Sequence, residues 1–145
     1  MAITSAICSS FKQELLQGKH NFASSGGDTF KIALYTNSSS LAAGTATYGD
    51  GTATNEVSGT GYSAGGNTLT SVTPVADGTT AVCDFADTSW TSATITAYGA
   101  LIYNSSESNK SVCVLNFGGD KTCTSGTFTI QFPTADASNA ILRLA

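Results

Sequence analysis

Apolar and polar residues alternate in short runs along most of this chain, and this period of two limits the possible folds more than any other feature. In 29–36 and again in 127–132, every second residue is large and apolar. Successive side chains of a β-strand point to opposite faces, so the pattern is typical of antiparallel strands with one face in a core. Turn residues separate the runs, as in 76–78 and 118–120. We therefore expect an all-β fold, a single antiparallel β-sandwich that is Ig-like or jelly-roll-like.

The same pattern predicts further strands, at 67–75, 80–84, 94–103 and 112–117, and a short apolar run at 140–144. Pro74 predicts an edge strand or a strand end, because proline donates no ladder hydrogen bond. Residues 104–109 are polar and join two of the runs, which indicates a hairpin. A chain of 145 residues can enclose one core, and neither a repeat nor a linker divides it. We expect a single domain over residues 1–145.

One short helix is predicted near the start of the chain, over residues 10–17. Ser10 is the expected N-cap of a capping box, and Gly18 is the expected left-handed stop. Phe11 and Leu15 lie four residues apart and therefore share one face. Because two turns are marginal alone in water, we expect this helix to dock on the sandwich through these two side chains.

The stretch 37–66 is rich in serine, glycine and threonine and shows no regular period. Loops of this length within small domains are usually functional. We expect this stretch to contribute no core and to reach out to a binding partner.

Charged residues make up 11% of the chain and the net charge is −4. Ordinary soluble domains contain about 25% charged residues. A protein that stays docked in an assembly tolerates so few charges, and short strands with unpaired edges favour self-association, so we expect a dimer or trimer. The six Lys and Arg residues are scattered, which argues against nucleic acid as a partner. No apolar run has the length of a membrane span and the first residues lack signal-peptide features, so we expect no membrane partner and synthesis in the cytoplasm.

The four cysteines show neither a C-x-x-C spacing nor a neighbouring histidine pair. A zinc site is therefore not expected, and no cofactor is predicted. Cys83 and Cys113 lie in apolar strand patterns, where free cysteine behaves as a small apolar residue. We expect buried, reduced thiols rather than disulfides.

Few residues suggest chemistry. His20, the only histidine, lacks a recognisable nucleophile or orienting acid nearby and is expected to be a surface or capping residue. Asp84 and Asp87 are three residues apart in an extended run, which points them to opposite faces rather than into a Ca²⁺ site. The glycine-rich stretch 59–66 lacks the Lys-Ser/Thr ending of a phosphate loop, and Trp90 is expected in the core. No catalytic, cofactor-binding or metal-ligating residue is predicted, and the chain is not expected to be an enzyme.

Five segments together resemble a known group of proteins. They are FKQELLQG (11–18), FKIALYT (30–36), NEVSGTGY (55–62), ALIYN (100–104) and ADASNA (135–140). The combination resembles small virion structural proteins of tailed bacteriophages, including cyanophages, and covers nearly the whole chain. The resemblance implies a capsid decoration (cement) protein on the capsid surface, with the major capsid protein as its partner. It is also compatible with a tail, neck or fibre-associated component.

A different class of function is left open by the residues. Tyr48, Tyr62 and Tyr98 are potential sugar-stacking side chains, if they are exposed together. The second alternative is therefore a carbohydrate-binding β-sandwich module.

Overall fold

Two antiparallel sheets and one short helix make up the regular structure of residues 2–145, the part of the chain that this computed structural model describes. The larger sheet has the strand order β1-β7-β6-β2-β3, and the smaller has the order β4-β5-β8. The elements are β1 (Ala6–Ile7), α1 (Ser9–Leu16), β2 (Phe30–Tyr35), β3 (Asn67–Thr68), β4 (Ser71–Asp77), β5 (Thr80–Phe85), β6 (Thr88–Asn104), β7 (Lys110–Ile130) and β8 (Leu142–Leu144). The predicted all-β antiparallel sandwich with one short helix is confirmed.

The predicted hairpin around residues 104–109 is confirmed, but its strands are longer than the alternation indicated. β6 and β7 pair from Asn104↔Lys110 out to Thr88↔Ile130. The turn predicted at 118–120 is wrong, since these residues lie within β7. The pairing passes from Ala97↔Lys121 to Gly99↔Asn116, so the extra residues form a bulge rather than a chain reversal.

One face of the larger sheet packs against the smaller sheet. Phe30 of β2 lies 5.8 Å from Phe85 of β5, measured between ring centroids. Phe22, in the segment that follows α1, stacks on Phe30 at 4.3 Å. The smaller sheet and the segment after α1 therefore together cover this face of the larger sheet.

The opposite face of the larger sheet is covered by the stretch 37–66, which overturns the prediction that this stretch avoids the core. Leu41 and Thr45 are 0% exposed. The stretch contains no helix or named strand, yet Asp50 accepts hydrogen bonds from the main-chain N–H groups of Ala46 and Thr52. A polar segment can lie against a sheet when its polar groups find such partners. The stretch forms a covering layer instead of an arm.

The helix begins one residue earlier than predicted, and its expected N-cap is wrong. Cys8 occupies the N-cap position with an extended backbone and without a side-chain capping bond, while Ser10 lies inside the helix. Cys8 donates its N–H to the Val112 carbonyl, so the pairing of β1 with β7 sets the start of α1. Gly18 has φ +71°, which confirms the predicted left-handed stop.

The helix docks as predicted through Phe11, which is 4% exposed, and Leu15 packs partly against the core. Leu16 is 92% exposed. β4, which contains Pro74, is an edge strand, as predicted. No helix within residues 2–145 has the length and apolarity needed to cross a membrane.

Candidate functional site

His20 is buried and its ring bonds to side chains, so the prediction of a surface or capping histidine without an acidic neighbour is wrong. Its Nε2 lies 2.8 Å from the Glu14 carboxylate of α1, and its Nδ1 lies 3.1 Å from Nδ2 of Asn104 in β6. The Asn104 amide nitrogen also donates to Asp28 at 2.8 Å, and its oxygen accepts from the Ser106 N–H. These partners fix the amide orientation. Nδ1 of His20 is consequently the acceptor, and Nε2 carries the proton and donates to Glu14.

This hydrogen-bond network is enclosed by aromatic rings and ties α1 to the larger sheet. Phe11 lies 4.8 Å from the His20 ring, between centroids, and Phe22 and Phe30 lie at 6.5 and 6.4 Å. Both ring nitrogens are used internally, and neither contacts a hydroxyl or thiol. The geometry supports a structural role for His20, which holds α1 against β6 of the larger sheet. Sequence reasoning missed the network because His20 and Asn104 are 84 residues apart.

A second polar cluster centres on Glu56 in the covering layer. Its Oε1 accepts from the Tyr62 hydroxyl and the Gly65 N–H, both at 2.7 Å, and its Oε2 accepts from the Tyr48 hydroxyl at 2.7 Å. Burial and the hydrogen bond to Glu56 raise the pKa of Tyr48 to about 12, and burial also raises the pKa of Tyr62. The Tyr48 ring stacks on Tyr103 at 4.6 Å. Tyr48 and Tyr62 therefore direct their hydroxyls to Glu56, and these two rings and that of Tyr98 are half-buried against the core rather than exposed together, as the sugar-binding alternative requires.

The thiols are free, as predicted. Cys8, Cys83 and Cys113 are buried, whereas Cys123 is partly exposed. Burial raises the pKa values of Cys8 and Cys83 to about 12 and also raises that of Cys113. Thiols that resist ionisation are poor nucleophiles and poor metal ligands. Within residues 2–145, no group of three or more His, Cys, Asp or Glu side chains is arranged to hold a metal ion.

The remaining candidates have structural positions. Asp84 accepts from the Phe85 N–H and Asp87 from the Phe132 N–H, so the two carboxylates serve separate segments. Trp90 is 4% exposed and lies in the core, as predicted.

The glycine-rich stretch 59–66 serves backbone geometry, as predicted. Gly66 has φ +74°, and a side chain there would collide with the Ile32 carbonyl of β2. This stretch is therefore held close against the sheet.

An apolar groove of about 700 Å³ lies between α1 and the smaller sheet. Phe11 and Leu15 line it on the helix side, and Cys83 and Leu142 line it on the sheet side. The volume lies within the range of about 300–1,000 Å³ that is common for binding clefts. Leu144 is 61% exposed and lies at its margin.

The charged residues that line the groove are Lys12 and Arg143, and no Asp or Glu lines it. Lys12 forms no salt bridge within the described residues, whereas the Arg143 guanidinium donates to the carbonyls of Ala137 and Ser138. A side cavity of about 490 Å³ shares Ile7 and Arg143 with the groove, so the two adjoin beside β8. The groove and side cavity form a cationic, apolar surface on an acidic protein.

Comparison with protein-family models, with curated proteins and with solved structures found no match to this chain.

Proposed function

We propose that this protein is a non-enzymatic structural subunit of a tailed-phage virion. In this role it is a decoration protein that binds the major capsid protein on the outer surface of the head and stabilises the shell. The apolar groove is the observation that carries the proposal. Contiguous exposed apolar surface on a small protein is typical of a protein-binding site.

The internal chemistry of the protein fits a binding role. The buried His20 side chain and the half-buried Glu14 and Glu56 side chains have their hydrogen-bonding groups directed to partners within the fold. A shell under pressure from packaged DNA is stabilised by subunits that bridge capsomers, because each contact adds binding free energy without a reaction. A sandwich with a covering layer on one face of the larger sheet and a groove on the other supplies a stiff body with a docking surface.

Co-sedimentation with purified shells that lack the protein tests the proposal. The parent protein is expected to pellet with the shells, and Leu144→Ser, at the groove margin, is expected to bind more weakly. Val72→Ser is the matched control, because Val72 is 44% exposed on the opposite edge strand of the smaller sheet. Failure of the parent protein to bind shells would contradict the proposal. Electron microscopy of the particle that locates the protein in the tail, neck or fibre would replace the decoration role by the alternative position.

A further inference from the structure

The outer edge of β8 presents unpaired main-chain groups, as the pairing of the smaller sheet indicates. Asp77 and Thr80 flank a two-residue turn whose first residue, Gly78, has φ +62°. Residues that flank such a turn form a hydrogen-bonded pair, and bonded and non-bonded pairs alternate along an antiparallel ladder. Ala81 therefore directs its main-chain groups away from β4, towards β8.

The alternation continues from β5 into β8. Ala81↔Leu144 and Cys83↔Leu142 are the hydrogen-bonded pairs, and Val82↔Arg143 is the non-bonded pair between them. The N–H and C=O groups of Arg143 consequently point away from β5. Neither has a main-chain partner elsewhere within residues 2–145. This edge is open to a further strand.

The surroundings of this edge suit an extended peptide. Arg143 lines both the groove and the side cavity, so a strand beside β8 would run through both. Side chains on one face of the added strand would enter the apolar groove between Leu15 and Leu142. Lys12 on the opposite wall supplies a positive charge, and no Asp or Glu lines either cavity. The complementary occupant is apolar at alternate positions and carries a carboxylate.

We propose that β8 accepts an extended segment of the partner protein as a fourth strand of the smaller sheet, with an acidic side chain of that segment at Lys12. This inference deepens the proposed function and rests on it, because it names the kind of partner segment that the groove takes. Strand addition of this kind obtains affinity from main-chain hydrogen bonds and selectivity from pockets for alternate side chains.

Selection of random linear peptides on the immobilised full-length protein tests the chemistry of the occupant. The enriched peptides are expected to alternate apolar residues and to contain Asp or Glu. Lys12→Glu is expected to shift the enrichment to Lys and Arg, whereas the matched control Lys121→Glu, an exposed residue on β7, is expected to leave it unchanged. Enrichment without acidic residues, or an equal response of the two variants, would overturn the inference.

A pair of variants at Arg143 tests the hydrogen bonds. Arg143→Ala removes the side chain and keeps the N–H, whereas Arg143→Pro also removes the outward N–H that β5 does not use. An enriched peptide is expected to bind Arg143→Pro roughly two- to tenfold more weakly than Arg143→Ala. Equal affinities would overturn strand addition. Thermal melting of both variants verifies that they fold. If Arg143→Pro does not fold, hydrogen exchange of the Arg143 amide in the parent protein serves as the test instead. Peptide binding is then expected to slow this exchange, and an unchanged exchange rate would overturn the inference.

Other occupants and the proposed function give separable results. Light scattering that gives a dimer in the parent and a monomer in Arg143→Pro would make a second copy the occupant and overturn the inference. Shell binding without peptide selectivity would overturn this inference alone. Selective peptide binding without shell binding would overturn the proposed function alone.

Discussion

At the residue scale, Glu56 ties three parts of the covering layer together by accepting hydrogen bonds from the Tyr48 and Tyr62 hydroxyls and the Gly65 N–H, and the Tyr48 ring stacks on Tyr103 of β6. Glu56→Gln keeps the size but replaces an accepting oxygen by a donor and removes the charge. We expect a loss of roughly 1.5–3 kcal/mol in the free energy of unfolding, the usual contribution of a hydrogen bond to a charged group. Urea denaturation at neutral pH measures it. Glu107→Gln is the control, because the Glu107 carboxylate forms no salt bridge within residues 2–145, and an equal loss in both variants would refute the role of Glu56.

Two apolar residues of α1 differ sharply in burial and therefore in the expected effect of their substitution on stability. Phe11 is 4% exposed and Leu16 is 92% exposed. We expect Phe11→Ala to lower the free energy of unfolding by roughly 3–5 kcal/mol. Leu16→Ala is expected to change it by less than about 0.5 kcal/mol. Denaturant titration of both variants checks which face of α1 is buried. If Leu16→Ala lowered the free energy of unfolding more than Phe11→Ala, the described orientation of α1 would be wrong.

The four free cysteines differ in accessibility, since Cys123 alone is not buried. A thiol reagent is expected to label Cys123 in the native protein and to reach Cys8, Cys83 and Cys113 only after unfolding. Buried thiols react slowly because both access and ionisation are suppressed. Mass spectrometry with and without denaturant counts the labels. Rapid native labelling of all four would contradict the burial of the other three.

At the element scale, strands were predictable where apolar and polar residues alternate strongly. Their ends were not predictable where they depend on pairing between residues that are far apart in the chain. β2 was recognisable because Phe30, Ile32 and Leu34 alternate. The first residues of β6 carry mostly Ser and Thr, and they are strand because Ser89 pairs with Thr129, 40 residues away. Gly118 indicates an irregular backbone in the sequence, but a glycine alone does not distinguish a β-bulge from a turn.

The covering layer could not be predicted because its burial depends on partners elsewhere in the chain. Glu56 and Thr45 are polar in sequence and would be poor core residues without hydrogen bonds. The candidate groove was equally hidden, since α1, β5 and β8 bring its walls from three distant segments. The helix itself and the free thiols were predictable, because capping glycine and isolated cysteines are local signals.

Leu41 tests the covering layer directly, because it is 0% exposed within a stretch without regular structure. We expect Leu41→Ala to lower the free energy of unfolding by roughly 2–5 kcal/mol, as for a buried core leucine. The same stretch would tolerate the change if it were a mobile arm. Thermal melting compares this variant with Ser38→Ala, at an exposed position of the same stretch. Similar melting temperatures for both variants would show that the layer does not hold the fold together.

At the scale of the whole molecule, the two faces of the larger sheet are closed in different ways. The covering layer closes one face with an irregular but hydrogen-bonded stretch, whereas the smaller sheet and α1 leave the groove between them on the other. The proposed docking surface therefore follows from how the sandwich is completed, rather than from any single motif.

The buried thiols and tyrosines on both sides of this sheet make folding depend on pH in the alkaline range. The pKa values of Cys8 and Cys83 rise from 9.0 to about 12, and that of Tyr48 rises from 10.0 to about 12. A group with a higher pKa in the folded state stabilises the fold fully below its unfolded pKa, and this stabilisation is lost as the pH rises through the folded value. We expect the free energy of unfolding to begin to fall near pH 9 and to continue falling to about pH 12. Denaturant titrations across this range measure how steeply the free energy of unfolding falls with pH.

Cys83→Ala is expected to reduce this slope, because it removes one of the thiols with a raised pKa. Val82→Ala, also buried on the same strand, is expected to lower stability at every pH and leave the slope unchanged. A stability that stays constant up to pH 12 would contradict the burial of these groups.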